Sequence, residues 1–151
     1  MKIYNKRVAE KSSKNSKLTK RRKTHKNKKL ESDIQKEVVQ YWRSHWAKKR
    51  NCFLIPGLNT NSENFLGRIK SMGYQKGTPD LTFLSLKVKN DGTVSPGLCI
   101  EMKSSTGSAS TEQKKVLDKM KNMGYFTAVC RSKSDAIKEI NAFMKLKNYK
   151  S

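Results

Sequence analysis

The 151-residue chain is short of acid, short of histidine, and has no long apolar run. No stretch approaches the ~20 apolar residues needed to span a bilayer, which excludes a membrane helix. The amino terminus is basic but has no apolar h-region, which excludes a secretory signal on this sequence. Only two histidines occur, His25 and His45, and the three cysteines, Cys52, Cys99 and Cys130, form no Cys-x-x-Cys pair. That spacing argues against a zinc site. Each cysteine lies in an apolar run, so an odd number of buried, reduced thiols is expected, as in an intracellular protein. The expected compartment is the nucleus or a viral replication compartment for a eukaryotic or viral chain, and the cytoplasm otherwise. No internal repeat is visible.

What the chain has in excess is positive charge. Its 34 basic and 12 acidic residues give a net +22, a balance that favours a polyanionic partner and above all nucleic acid. Residues 1–30 carry 13 Lys/Arg and one acid, Glu10, a net of +12; the remainder keeps 21 against 11, a net of +10. The first thirty residues offer few apolar groups to offset ordering entropy and read as a disordered basic tail, either an import signal or a DNA tether. Residues 31–147 are long enough for one domain with an ordinary core. Their charge predicts that the folded surface itself meets phosphate.

Along that domain the periodicity alternates between helix and strand. Ile34, Val38, Tyr41, Trp42 and His45 share one face of a helix reaching about Lys49. Their spacing favours core packing over base stacking for Tyr41, Trp42 and Trp46. Glu31 lies at the amino-terminal edge of that apolar face, whereas Glu37 projects off it as a solvated charge. Cys52-Phe53-Leu54-Ile55 reads as a strand ended by Pro56-Gly57, and Ser62 to Met72 as a short helix. Leu81 to Leu86 and Gly97 to Ile100 read as strands of a ragged hairpin turning at Asn90-Asp91-Gly92, with Pro96-Gly97 reopening the second arm. Ser110 and Gln113 form a capping-box pattern ahead of Val116, Leu117 and Met120. Gly124 ends that helix. A strand at Tyr125–Cys130 follows, then a helix opened by Ser134 and Asp135, with Ile137, Ile140, Phe143 and Met144 inward. The order predicts an α/β fold: a mixed four-stranded sheet flanked by helices, αβββαβ plus a C-terminal helix.

Chemistry concentrates at Gly77-Thr78-Pro79-Asp80 and, about twenty residues later, Glu101-Met102-Lys103. Strand alternation puts Glu101 and Lys103 on one face and Met102 on the other. A hairpin would bring Asp80 to the same end. Two carboxylates and an ammonium around one point suit metal-dependent phosphodiester hydrolysis. The carboxylates hold a hard oxygen-seeking cation, Mg²⁺ with Mn²⁺ as substitute, and the backbone carbonyl of Met102 is a third donor. Lys103 would orient the attacking water or stabilise charge on the phosphate. Taken singly, Asp80 is a turn former after proline, and Glu101 with Lys103 is an exposed ion pair.

The wider pattern resembles the PD-(D/E)XK nuclease superfamily with its restriction-endonuclease-like core, and within it the VRR-NUC (virus-type replication-repair nuclease) domain. The matching elements are Glu31-Ser32-Asp33-Ile34-Gln35, Gly77-Thr78-Pro79-Asp80, Ile100-Glu101-Met102-Lys103, a small-residue loop, and Ser110-Thr111-Glu112-Gln113. The resemblance covers about residues 31–147. It implies that Glu31 joins the metal site, and that Gln113 supports it or merely caps its own helix. It also implies a DNA endonuclease acting as a homodimer on branched or structured DNA, such as a four-way junction or flap, in replication, repair or recombination. Arg43, Lys48, Lys49 and Arg50, weighed against a merely solvated face, and Arg68, Lys70 and Lys76 of the connector are the candidate phosphate contacts. Two other readings use the same core: a non-catalytic nucleic-acid binding module and a small restriction-type endonuclease. Asp80, Glu101 and Lys103 argue against the first, and the short chain against the second.

Overall fold

The computed structural model describes residues 30–48, 51–58, 67–68 and 70–150. The tail up to residue 29, Lys49, Arg50 and the Ser62 end of the connector helix lie outside them.

Helix α1 (Glu31–His45) buries Ile34, Val38 and Trp42, the i, i+4, i+8 stripe of a helix with one apolar face. Its first turn carries Glu31 and Asp33 and its last Arg43 and His45, charges aligned with the helix dipole. The stripe loses its last member. His45 is exposed in the last turn of the helix and stacks on the Tyr41 ring at 4.1 Å. Tyr41 and Trp46 are half-buried, and both donate to Asn141 Oδ1, at 3.0 and 2.9 Å. Glu37 is half-buried rather than fully solvated.

The sheet runs β1 (Phe53–Pro56), β2 (Leu81–Val88), β3 (Val94–Met102), β4 (Phe126–Cys130), with β5 (Lys147–Asn148) pairing β2. The four-stranded expectation missed β5, which is too short to show a period. Pro56 belongs to β1, where an edge strand tolerates it. β1–β2 and β2–β3 are antiparallel; β3–β4 is parallel, joined by a crossover through helix α2 (Thr111–Asn122). Pro96-Gly97 does not break β3. The register passes from Leu84↔Gly97 to Lys87↔Ser95, so one extra residue on β2 forms a bulge that absorbs the irregularity. Gly92 takes the left-handed conformation (φ +83°) in the hairpin turn.

Gly124 (φ +91°) follows α2, as its position predicts. Helix α3 (Lys133–Lys145) is capped by Ser132, whose hydroxyl accepts from the Asp135 N–H, and not by Ser134. Ser132 is the residue with extended backbone ahead of the first helical turn, which the cap geometry requires. It buries Ala136, Ile140, Phe143 and Met144, while Ile137 is half-buried. Leu81, Phe83, Leu98, Ile100 and Met102 meet α1 and α3 in one core. All three cysteines are buried and unpaired. Burial pushes the thiols of Cys52 and Cys99 up to about 11 and that of Cys130 to about 12. Among the described residues no helix is long and apolar enough to cross a membrane.

Candidate active site

Strand alternation builds the site. Ile100 and Met102 point into the core, so Glu101 projects from the opposite face of β3. Pairing of Leu81 with Ile100 brings the preceding residue, Asp80, to the same end. Asp80 Oδ2 accepts the Met102 N–H at 2.7 Å and so continues the ladder where β2 has not yet begun. The Gly-Thr-Pro-Asp turn lies against the start of α2. Gly77 has φ +90°, and a Cβ there would come within 2.8 Å of the Glu112 carbonyl oxygen, so both conformation and space require glycine.

Four further groups converge on this pair. Lys103, just past β3, places Nζ 2.7 Å from Glu101 Oε1 and 3.7 Å from Glu31 Oε2. Glu31 Oε1 accepts the Ser104 N–H at 2.7 Å, fixing the first residue of α1 to the loop after β3. Gln113 makes contacts in both directions. Its Oε1 accepts the Ser110 N–H at 2.8 Å in a complete capping box, while its Nε2 donates to Glu101 Oε1. The helix cap therefore aims the amide at the carboxylate. Gln35, one turn beyond Glu31, donates from Nε2 to the Asp80 carbonyl at 3.2 Å. No contact was assigned to it from sequence, although its i+4 spacing from Glu31 places both on one face.

The electrostatics follow from three acids sharing one ammonium. Glu101 is fully buried, and Oε2 meets no hydrogen-bond partner among the described residues. Burial first, then the neighbouring Asp80 and Glu31, push its carboxyl up to about 7 against the pull of Lys103. Asp80 is also raised, by burial above all, though the Met102 N–H and Lys103 oppose it. Burial pulls Lys103 down, but Glu101, Glu31 and Asp80 outweigh it and raise the ammonium above its ordinary value. Both partners of the Lys103–Glu101 pair thus hold protons more tightly than usual. Burial raises the two carboxyls first and the crowding of acids adds to it, while the same acids raise the Lys103 ammonium.

Among the described residues no group of three or more His, Cys, Asp or Glu side chains is disposed to cage a metal ion. The site offers a carboxylate pair, an all-oxygen set that Mg²⁺ accepts because it keeps several waters. The orphaned Glu101 Oε2 and the suppressed ionisation of both acids fit such an ion, since a cation would satisfy the oxygen and discharge the repulsion.

The expected phosphate contacts are scattered. Arg43 and Lys48 are exposed at the far end of α1, Arg43 roughly 18 Å along the helix from Glu31. Arg68 and Lys70 are exposed in the helical part of the connector. Lys76 is nearer, with Nζ 3.9 Å from Glu112 Oε1 at the start of α2.

The fold defines an α/β protein with a mixed sheet flanked by helices, and its acids gather at one strand end. The sequence pattern of the VRR-NUC domain matches residues 21–134, and the chain belongs to that family, a nuclease-type family. A solved structure described as a VRR_NUC domain protein is similar in fold, with TM-score 0.56 and 21% identity over 78% of this chain and 93% of the other. No curated protein matches the chain.

Proposed function

We propose that the protein is a Mg²⁺-dependent DNA endonuclease. The observation that carries the reading is the convergence of Asp80, Glu101, Lys103, Glu31 and Gln113, from separate elements, around a buried carboxylate with an unmet oxygen. Binding alone gives no reason to bury acids at the surface of a protein of charge +22 that meets a polyanion.

In this reading Asp80 and Glu101 hold the ion, with the Met102 carbonyl beside them. Glu31 is the third acid available to it, though its oxygens are engaged by Ser104 and Lys103. When bound, Mg²⁺ supplies Lewis-acid charge at phosphorus and a more acidic water. The protein does the positioning. Gln113 fixes the rotation of Glu101, and the Met102 N–H fixes Asp80. Lys103, held between Glu101 and Glu31, would hold the attacking water in line or balance charge building on the phosphate oxygens.

The substrate that fits the family resemblance is branched or structured DNA, cut by a homodimer whose two sites meet two strands, in replication, repair or recombination. Plasmid, single-stranded and four-way-junction DNA, each incubated with Mg²⁺, with Mn²⁺ or with EDTA, test the proposal. Metal-dependent cleavage with the junction preferred is the expected result. Tight binding without cleavage under any metal would leave a binding module instead.

A further inference from the structure

Asp80 is gripped at both ends. Its carboxylate receives the Met102 N–H, and its own carbonyl receives two donors: the Gly57 N–H at 2.7 Å and Gln35 Nε2 at 3.2 Å. These donors come from three elements, β3, the segment after β1, and α1. A carbonyl oxygen has two lone pairs, and both are used here. The approach of the Gly57 backbone is so close that a Cβ at that position would collide with the Pro79 carbonyl oxygen. Upstream, the chain is bent by Gly77 and stiffened by Pro79. The peptide carrying Asp80 therefore has little freedom apart from what the Gln35 amide controls.

We propose that Gln35 is a positioning residue: by clamping the Asp80 carbonyl from α1, it sets the angle at which the Asp80 carboxylate meets a divalent cation. This rests on the metal-dependent reading above. The attachment of α1 to the core does not need Gln35, because Ile34, Val38 and Trp42 provide it. Gln35 is only half-buried and links residues 45 apart in sequence. Glu31 and Gln35, one helical turn apart, then act as a pair. Glu31 fixes the loop after β3 through Ser104, and Gln35 fixes the turn before β2 through Asp80. Helix α1 thereby sets both halves of the site in register.

The test uses Ca²⁺, which binds oxygen sites without requiring turnover, titrated calorimetrically into the full-length protein and into Gln35→Met. Substituents that orient metal ligands change affinity by roughly 10-fold to 100-fold, so a loss of about tenfold in Ca²⁺ affinity is expected. The thermal midpoint should stay within a few degrees, since one half-buried hydrogen bond is lost. The half-saturating Mg²⁺ concentration for cleavage should rise in parallel, while Gln40→Met, exposed on the same helix, leaves both unchanged. Gln35→Asn, shorter by one methylene, gives an intermediate loss and serves if Gln35→Met is poorly folded. Ca²⁺ affinity of folded Gln35→Met or Gln35→Asn within twofold of wild type overturns the inference and leaves the nuclease proposal standing. Wild-type protein that binds neither Ca²⁺ nor Mg²⁺ and cuts no DNA overturns both.

Discussion

Lys103 and Lys87 are both withdrawn from solvent, near opposite ends of one hairpin, and they meet different company. Lys87 is wholly buried, and its Nζ lies 3.4 Å from the carbonyls of Met144 and Leu146 and 2.6 Å from Asn148 Oδ1. These are the carbonyl and amide oxygens at the end of α3 and in β5, where the helix dipole is negative. Its charge completes a helix terminus and ties the last strand to the sheet. Lys103 instead faces Glu101, Glu31 and Asp80, more negative charge than it can neutralise. Burial of a lysine is common to both ends, so burial does not mark the site. A surplus of acid around a buried cation does. Satisfied surroundings stabilise a fold, whereas unsatisfied ones leave room for a further cation and a phosphate.

The sharpest way to break this contrast is to remove the acids or the lysine. Asp80→Ala, Glu101→Ala and Lys103→Ala should each reduce cleavage by roughly a thousandfold or more while DNA affinity is nearly kept, and the two acid variants can bind more tightly because repulsion of phosphate is relieved. Single-turnover cleavage and fluorescence anisotropy measure the two effects separately. Purified Asp80→Ala that cuts at a near-wild-type rate would sink the proposed site. A smaller loss, roughly 10-fold to 100-fold, is expected for Glu31→Gln, which weakens the hold on Lys103 and Ser104. Glu37→Gln, on the same helix but off the buried stripe, should stay within about twofold, the ordinary range for a change outside the site. Equal losses for the two, at matched folding, would sink the assignment of Glu31 to the site.

Much of this was legible because strand parity is a rigid rule. Once Asp80 preceded one apolar run and Glu101 ended another, a hairpin had to bring them to one edge. The Ser110–Gln113 spacing exposed the cap for the same reason, as a local pattern of four residues. What stayed hidden depends on distant chain. Nothing near Lys87 announces burial, because its partners lie 57 to 61 residues away in α3 and β5. The contact between Gln35 and Asp80 spans 45 residues, so the Glu31 to Gln35 motif singles out the glutamine without revealing its partner. Ser132 and Ser134 are equally plausible caps on paper, and only the backbone conformation chooses. Pro96-Gly97 is the visible irregularity of the hairpin, while the bulge between Leu84 and Lys87 sits on the other strand and leaves no mark in the sequence of β3.

The acid surplus can also be read as stability, without any DNA. The unfolded Glu101 loses its proton near the ordinary value of 4.5, whereas the folded one keeps it to about 7. Between those values the folded state holds the extra proton, so stability falls as pH rises through that window. Asp80, also raised, adds in the same direction, and Lys103 is raised from 10.5 and does not titrate in the window. Metal-free protein should therefore melt lower at pH 8 than at pH 5, and Glu101→Gln should remove much of the slope and raise the pH 8 midpoint by on the order of 5 °C. Added Mg²⁺ should restore the wild type at pH 8 and leave Glu101→Gln less affected. A midpoint that rises from pH 5 to pH 8 in the absence of metal would contradict the surplus.

Lys87 is where the smallest effect on turnover is expected, and that makes it the control for everything above. Lys87→Met keeps the buried stem and deletes the ammonium, leaving the oxygens of Met144, Leu146 and Asn148 without this donor. Unsatisfied buried acceptors cost about 1–3 kcal/mol. Part of that is offset because a charge no longer has to be buried, so a net loss of roughly 1–2 kcal/mol is expected. The loosened part should be local. Amide exchange should quicken at Leu146 to Tyr149, the segment that pairs with β2 through Lys147, Asn148 and the Tyr149 N–H on the Leu86 carbonyl. Cleavage at a temperature where the variant is folded should stay within about twofold of wild type, as for other substitutions outside the site. A Lys87→Met enzyme as dead as Lys103→Ala, yet still folded, would mean that the two lysines are coupled through the hairpin and that their different surroundings do not separate structure from chemistry.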